Sequence, residues 1–277
     1  MSLMDHHKIY DNRASFPPLP KFIEDIEETY FNEQYLHNLF QKYWHYSIYI
    51  AIFYLIFIFS FKKYMENRKP FDLRTPLIIW SGVLAVFSWL GAYRFLYGFY
   101  FLFMKHGFQG TLCATYYYKS KPEGFWVACF VLSKVPELVD TFFIVARKKK
   151  LIFLHWYHHA TVLVYSFYLY RDRLAGGAYY GTMNFSVHAI MYSYYAFSAA
   201  RIRLPKIVNI IVTSLQTMQM FVGVFVTIYL TFHVNDKQCP IHKENLMAAF
   251  AMYSTYLYLF GEFFVNTYVR KRKVKRS

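Results

Sequence analysis

Residues 44–61 read WHYSIYIAIFYLIFIFSF, and this stretch decides the class of fold. It contains no Lys, Arg, Asp or Glu, and an apolar run of about 18 residues is typical of a transmembrane helix. The whole chain of 277 residues is 56% hydrophobic and 23% aromatic, with similar runs along its length. They predict an all-α, polytopic membrane protein with seven transmembrane helices. The predicted helices lie near 44–61, 76–104, 125–146, 151–170, 177–200, 206–232 and 245–268.

The chain has no internal repeat and no linker of domain-separating length, which predicts one transmembrane domain over residues 1–277. Residues 1–43 are polar and precede the first apolar run. Three prolines in this segment predict an irregular start. The second predicted helix is longer than a membrane span requires, so we expect it to be tilted or broken near Gly98. The three prolines are Pro17, Pro18 and Pro20.

The basic residues of the loops predict the orientation, because Lys and Arg are retained on the cytoplasmic side. One set of connections, together with the tail at 269–277, holds eighteen Lys and Arg, whereas the alternate set holds seven. We therefore expect a lumenal amino terminus and a cytoplasmic carboxyl terminus. The net charge of +15 follows mostly from this bias, so no nucleic-acid partner is expected. The basic residues of these connections, including Arg201 and Lys206, can also attract a phosphate-bearing substrate.

Two of the three cysteines fall on the side predicted to be lumenal. Cys113 and Cys239 lie in connections, whereas Cys129 lies inside a predicted helix. In an oxidising lumen, Cys113 and Cys239 are candidates for a disulfide. Two free thiols are the alternative, because pairing requires that the two α-carbons lie within about 7 Å.

Ionisable and amide side chains interrupt four of the predicted helices. Such groups are costly at membrane depth and usually serve a function. The four stretches read KVPELVDT (134–141), HWYHH (155–159), MNFSVHAIMYSYY (183–195) and QTMQ (216–219). They supply Lys134, Glu137, Asp140, His155, His158, His159, Asn184, His188, Tyr192, Tyr195, Gln216 and Gln219.

Spacings of three and four residues place the polar groups of each stretch on one helix face. At about 1.5 Å of rise per residue, the four stretches fall in one slab nearer the cytoplasmic side. A single buried histidine is more often a hydrogen-bonded structural residue. The trio His155, His158 and His159 instead indicates metal binding or the movement of protons and acyl groups. The tyrosines and glutamines of the slab either bind substrate or satisfy the histidines and acids.

Together, the four stretches resemble the four signature motifs of the ELO family of very-long-chain fatty acid elongases. They occur in the order and spacing of that family, and the resemblance covers the chain from about residue 40. It implies condensation of malonyl-CoA with a long-chain acyl-CoA to give 3-ketoacyl-CoA, carbon dioxide and free CoA, without a metal or other cofactor. It also implies an acyl tunnel enclosed by helices two to seven.

The resemblance further implies a location in the endoplasmic reticulum membrane, among membrane lipids, with the site facing the cytoplasm. The implied partners are the other enzymes of the elongation cycle, namely a ketoacyl reductase, a dehydratase and an enoyl reductase, and a homodimer is left open. Lys273 and Lys275 in the tail fit a dilysine retrieval signal of endoplasmic reticulum membrane proteins. A basic cluster that binds anionic lipid is the alternative.

The mechanism requires a nucleophile, and no cysteine or serine of the slab has a base beside it. By analogy with the family, His158 attacks the thioester to form an acyl-imidazole. The other histidines, His155, His159 and His188, would then orient the acyl group, move protons and stabilise the enolate. Asp140 is expected to fix one imidazole tautomer, and Lys134 with Asn184 to polarise a carbonyl. Expected substrate contacts are Glu137, Tyr192, Tyr195, Gln216, Gln219, Arg201 and Lys206.

Trp156 and Tyr157 within the histidine motif look more like elongases of saturated and monounsaturated acyl chains than the polyunsaturated type. Two other classes of protein fit parts of the sequence. A di-iron membrane desaturase or hydroxylase also uses a His-x-x-His-His motif, but it needs several such motifs. A seven-helix receptor or transporter fits the topology, but it leaves the three clustered histidines without a purpose.

Overall fold

A computed structural model describes residues 18–233 and 239–270. Over this described part the chain is helical and contains no strand, as predicted for an all-α fold. Lys273 and Lys275 lie outside the described residues. The α-helices are α1 Lys21–Tyr30, α2 Glu33–Tyr43, α3 Tyr46–Met65, α4 Arg74–Cys113, α5 Lys121–Ser133, α6 Val139–Ala146, α7 Phe153–Asp172, α8 Gly177–Ala199, α9 Lys206–Thr231 and α10 Lys243–Phe264.

Three helices in the described ranges are long and apolar enough to cross a membrane, namely α3, α4 and α9. Large apolar side chains point outward from each of them, for example Phe53 on α3, Val86 on α4 and Phe221 on α9. Such exposure over whole helices is unfavourable in water and favourable against lipid. The protein is therefore an α-helical membrane protein.

Six helical units pack around a common interior. The neighbours around this ring are α4, α5, α7, α10, α9 and α8, and α8 returns to α4. Helix α3 lies outside the ring and packs on α6 and α7. The ring brings the polar faces of α7, α8 and α9 towards one another.

The tightest side of the ring is the contact between α4 and α8, and glycines permit it. A Cβ atom added at Gly91 of α4 would lie 2.3 Å from Cε1 of Phe185 on α8. A Cβ atom at Gly181 of α8 would lie 2.7 Å from Cε1 of Phe95 on α4. Both distances are far below van der Waals contact, so the close approach of the two helices depends on these positions.

Before the first apolar helix, residues 18–20 have no regular secondary structure and two helices follow them, whereas Pro17 lies outside the described residues. Pro20 stands at the N-cap position of α1, and α2 is capped by Asn32, whose side chain accepts a hydrogen bond from the Tyr35 amide at 2.9 Å. A proline that precedes a helix does not interrupt its hydrogen bonds. The proline-rich stretch therefore introduces two helices.

The second and third predicted helices are interrupted, at positions that glycine and proline explain. Helix α4 departs from helical geometry at Gly107, whose φ is 65°, so the prediction of a break at Gly98 was wrong. The third predicted helix is divided into α5 and α6 by a 3-10 turn at Pro136–Leu138. Pro136 lacks the amide hydrogen that a continuous α-helix would use.

A disulfide links the end of α4 to the segment before α10, at one end of the helix ring. Cys113, the last residue of α4, is bonded to Cys239, which precedes α10. The bond closes a separation of 126 residues along the chain. Cys129 of α5 is a free thiol.

Candidate active site

A cavity of about 430 Å³ lies within the helix ring, at the end where α6 is joined to α7. Helices α4, α6, α7, α8, α9 and α10 all contribute to its wall. Most of the polar residues that interrupt the predicted helices meet here. The predicted residues that line the cavity are Asp140, His155, His158, His159, Asn184, His188, Tyr192, Tyr195, Gln216 and Gln219.

The three histidines of α7 stand side by side on the inner face of that helix. The ring centroids of His155 and His159 are 4.4 Å apart, and those of His158 and His159 are 5.5 Å apart. This arrangement follows from their spacing of one, three and four residues. Nε2 of His155 lies 3.0 Å from the Thr141 hydroxyl, which lies 2.7 Å from the hydroxyl of Tyr54 on α3.

The ring of His158 lines the cavity and is more exposed than that of the buried His159. Within the described part of the chain it makes no hydrogen bond to protein, and its ring packs against Tyr256 at a centroid distance of 4.9 Å. The Tyr256 hydroxyl donates instead to the His158 backbone oxygen at 3.2 Å. The imidazole is thus held in place by contact while its nitrogen atoms stay available.

A second group of polar side chains connects the turn between α5 and α6 with α8. The Lys134 ammonium donates to both Glu137 carboxylate oxygens, at 2.8 and 3.0 Å, and to Oδ1 of Asn184 at 3.2 Å. The Asn184 amide nitrogen lies 3.2 Å from Nε2 of His188. Nδ1 of His188 is 3.9 Å from Glu137. Lys134 and Glu137 stand behind the cavity wall and do not line it.

Asp140 is placed differently from the prediction that it would hold an imidazole. One of its carboxylate oxygens accepts a hydrogen bond from the Trp80 indole at 2.7 Å, and the other accepts from the Tyr192 hydroxyl at 2.7 Å. Asp140 therefore joins α4, α6 and α8 across the ring. The carboxylate beside a histidine is that of Glu137.

The basic residues at the cavity differ from the predicted pair. Arg201 and Lys206 are exposed and do not line the cavity. Arg147 and Lys149, in the connection from α6 to α7, do line it. Among the described residues, neither side chain of this pair lies within ion-pair distance of a carboxylate. They form a basic rim at the same cavity that the histidines line.

The connection that carries this rim is fixed to its surroundings. Between the two rim residues, the Lys148 ammonium donates to the backbone oxygens of Glu66 and Arg68, at 2.9 and 3.0 Å. The Phe71 amide also donates to the backbone oxygen of Ala146 at 3.0 Å. Lys148 has a left-handed φ of 53°, so the turn projects its neighbours in a defined direction.

The described residues hold no group of three His, Cys, Asp or Glu side chains placed to bind one metal ion. Ser81 and Ser198 reach the cavity, but within the described ranges neither hydroxyl is hydrogen-bonded to a histidine. The fold and the site together define an α-helical membrane protein whose helix ring encloses a cavity lined by four histidines.

Sequence comparison identifies the family. Residues 39–276 match the ELO: GNS1/SUR4 family. The chain is 44% identical over 233 residues to "Very long chain fatty acid elongase 3" of Homo sapiens, covering 84% of this chain and 86% of that protein. It is 44% identical over 250 residues to "Very long chain fatty acid elongase 6" of Mus musculus, covering 89% and 93%. The chain belongs to the ELO family, which confirms the resemblance seen in the motifs and makes the protein an enzyme.

Several residues of the site carry no distinctive signal in the sequence. Trp80 and Tyr54 contact Asp140 and Thr141 from remote parts of the chain. Tyr256 is one of 28 tyrosines, and nothing in its neighbourhood marks it as a partner of His158. Arg147 and Lys149 belong to a basic run, and the run alone does not say which of its members face inward.

Proposed function

We propose that the histidine-lined cavity condenses malonyl-CoA with a long-chain acyl-CoA, giving 3-ketoacyl-CoA, carbon dioxide and CoA. Membership of the ELO family makes the chain a condensing enzyme of fatty acid elongation. The observation that supports this site most strongly is the convergence of His155, His158, His159 and His188 with a basic rim in one cavity. The reaction uses side chains alone and needs no bound cofactor. Because the chain belongs to the ELO family, we set aside the desaturase and the receptor or transporter as alternative functions.

In the proposed first step, a ring nitrogen of His158 attacks the thioester carbonyl. The carbon–sulfur bond breaks, CoA leaves as a thiolate that takes up a proton, and the acyl group remains on the imidazole. The partly exposed ring of His158 supports this choice, because His155 is already hydrogen-bonded to Thr141 and His159 is buried. In the second step, loss of carbon dioxide from malonyl-CoA yields an enolate that attacks the acyl-imidazole carbonyl and frees His158.

The two rim residues are suited to the phosphates of CoA. Arg147 and Lys149 line the cavity without an acidic partner in the described ranges, and a phosphate oxygen is the strongest acceptor that a CoA thioester presents. Because the turn at Lys148 is already fixed, less conformational entropy is lost when CoA binds. We assign Arg147 and Lys149 the role that the sequence suggested for Arg201 and Lys206.

The acyl tail would run from the histidines along the interior of the helix ring, in a bundle of seven transmembrane helices. A smaller cavity of about 30 Å³ lies deeper, lined by Ser166 and Tyr170 of α7 and Gly181 of α8. These residues continue the inner helix faces of His159 and Asn184, because spacings of three, four, seven and eleven residues return to one face. This alignment supports a narrow acyl tunnel that is closed at its far end.

The proposal extends to the substrate class, the compartment and the partners. The resemblance of Trp156 and Tyr157 to the histidine motif of elongases of saturated and monounsaturated acyl chains supports that substrate class. The disulfide between Cys113 and Cys239 supports a lumenal position for that end of the ring. The opposite end, with the histidines and basic loops, would face the cytoplasm of the endoplasmic reticulum membrane. The reductases and the dehydratase of the cycle would act on the product.

The test uses the full-length protein in detergent with malonyl-CoA and palmitoyl-CoA, and mass spectrometry of both lipid and protein. We expect 3-ketoacyl-CoA two carbons longer and, without malonyl-CoA, an acyl adduct on the peptide that contains His158. His158→Ala should remove both signals. His242→Ala, a change at a surface histidine away from the cavity, is the matched control. Full product formation by His158→Ala would overturn the covalent mechanism.

A further inference from the structure

Four side chains at the wall of the histidine cavity, two lining it and two behind it, form a closed ring of polar contacts. Lys134 donates to Glu137 and to Asn184, Asn184 contacts His188, and His188 faces Glu137. All four are at least nine-tenths buried. Ser133 adds a further hydrogen bond to Glu137 at 2.8 Å.

The orientation of the Asn184 amide follows from the ammonium beside it. An ammonium has three donors and no acceptor, so the amide atom that faces Lys134 must be the oxygen. The amide nitrogen then faces Nε2 of His188 at 3.2 Å, and an amide nitrogen can only donate. Nε2 of His188 is therefore the acceptor and carries no hydrogen.

The tautomer of His188 follows in turn. A neutral imidazole has one N–H group, and with Nε2 as acceptor that hydrogen lies on Nδ1. Nδ1 is 3.9 Å from a carboxylate oxygen of Glu137, which attracts the hydrogen. Each contact in the ring thus requires the same tautomer.

We infer that Lys134, Asn184 and Glu137 hold His188, which lines the cavity, as its Nδ1–H tautomer, with Nε2 kept free of hydrogen by the Asn184 amide. The inference rests on the proposed function and adds positioning roles to it. Lys134 and Glu137 do not line the cavity, so they act through Asn184 and His188. Glu137 faces the Nδ1 hydrogen at 3.9 Å, so its charge favours this tautomer over the Nε2–H form.

An ion pair at this depth is costly, which gives it little value as a purely structural element. Lys134 and Glu137 are 2% and 3% exposed. Replacing a buried ion pair by apolar residues of similar volume often stabilises a protein. Control of the His188 proton is a role that apolar residues cannot fill.

The sharpest test is Asn184→Asp, which preserves size and gives Lys134 a stronger acceptor. A carboxylate can only accept, so it would require a hydrogen on Nε2 and turn the lone pair of Nδ1 towards Glu137. We expect kcat to fall by at least about a hundredfold, since a wrong histidine tautomer in a catalytic triad costs about 10⁴, with KM for palmitoyl-CoA changed less than about threefold. Asn209→Asp is the control, because there the backbone oxygen accepts the neighbouring hydrogen bonds.

A second pair of variants separates tautomer control from ion pairing. Glu137→Gln and Glu137→Met both remove the charge and have similar size, but only glutamine keeps an oxygen whose partial negative charge faces the Nδ1 hydrogen. The inference predicts that Glu137→Gln retains at least tenfold more turnover than Glu137→Met. Equal turnover of the two variants would overturn it.

A direct measurement on the wild-type protein tests the inference even where a variant fails to fold. Nitrogen-15 NMR of the wild-type protein in lipid, with His188 assigned by difference from His188→Asn, reports which ring nitrogen carries the hydrogen. We expect Nδ1. A hydrogen on Nε2 in an enzyme that makes product would overturn the inference and leave the proposed function standing, whereas absence of product would reject that function.

Discussion

At the scale of single residues, the hydroxyl of Thr141 connects three helices. It lies 2.7 Å from the Tyr54 hydroxyl of α3 and 3.0 Å from Nε2 of His155 on α7, and Thr141 is fully buried. Buried polar atoms that lose a partner cost about 1–3 kcal/mol each. The position therefore couples the stability of the bundle to the orientation of a cavity histidine.

Thr141→Val should destabilise the protein by about 2 kcal/mol, because both partners lose their hydrogen bond inside the bundle. Tyr54→Phe in the same protein should recover part of the loss by removing one unsatisfied hydroxyl. Thermal unfolding of the four members of this double-mutant cycle in detergent measures the coupling. Additive effects of the two changes would contradict the shared hydrogen bond.

Arg147→Gln and Lys149→Gln should weaken binding of the CoA thioester. A hydrogen bond to a charged group contributes about 1.5 kcal/mol, so each change should raise KM about tenfold and leave kcat nearly unchanged. Lys150→Gln, at an exposed neighbour that does not line the cavity, is the matched control. A KM for Lys150→Gln raised as much as that of the rim variants would mean that loop charge alone, and not the rim, attracts CoA.

The site was predictable where its geometry is local. His155, His158 and His159 share a face because of their spacing, and the sequence alone predicts that result. The partners of Asp140 lie 60 and 52 residues away, and helix packing decides such contacts. A carboxylate near histidines in the sequence was therefore assigned to an imidazole, whereas packing assigned it to Trp80 and Tyr192.

At the scale of helices, α1 is tied to the ring by a buried ion pair. Arg94 of α4 donates to both carboxylate oxygens of Glu27, at 2.9 and 2.8 Å, and the Trp126 indole donates to Glu27 at 2.7 Å. Both charged side chains are almost fully buried. The pair therefore joins a short helix to α4 and α5 where apolar contact is limited.

Glu27→Ala should destabilise the protein by about 3 kcal/mol, because it removes the carboxylate that accepts two hydrogen bonds from the buried Arg94 guanidinium. The melting temperature in detergent measures this loss. Asp25→Ala, at an exposed position of the same helix, should have little effect. If the two variants melt together, Glu27 does not anchor α1.

The positions of the helices were predictable, and their interruptions were less so. Apolar runs mark helices because their length is set by membrane thickness. A long helix can break at any of several glycines. The break lies at Gly107, where the backbone adopts a positive φ that glycine tolerates. Glu27 of α1 is buried because it pairs with Arg94, which lies 67 residues away. The polar sequence of α1 alone does not predict this burial.

At the scale of the whole molecule, the helix ring holds the histidine cavity and a second, smaller cavity lined by Ser166 and Tyr170. His159 and Tyr170 both lie on α7, so the two levels are about 16 Å apart along the helix axis. Ser166 lies between them, is buried, and donates its hydroxyl to the Leu163 backbone oxygen at 3.0 Å. Its small side chain leaves space that a leucine would fill.

Ser166→Leu should shorten the acyl chain that the enzyme accepts. The added carbon atoms occupy the deeper cavity, so the ratio of kcat/KM for palmitoyl-CoA to that for lauroyl-CoA should fall about tenfold. Ser186→Leu is the matched control, because its hydroxyl makes the same type of bond to the preceding turn of α8 at 2.7 Å and it lines neither cavity. Competition between the two substrates, followed by mass spectrometry of the products, measures the ratio. An unchanged ratio in a folded, active Ser166→Leu variant would place the acyl tail elsewhere in the ring.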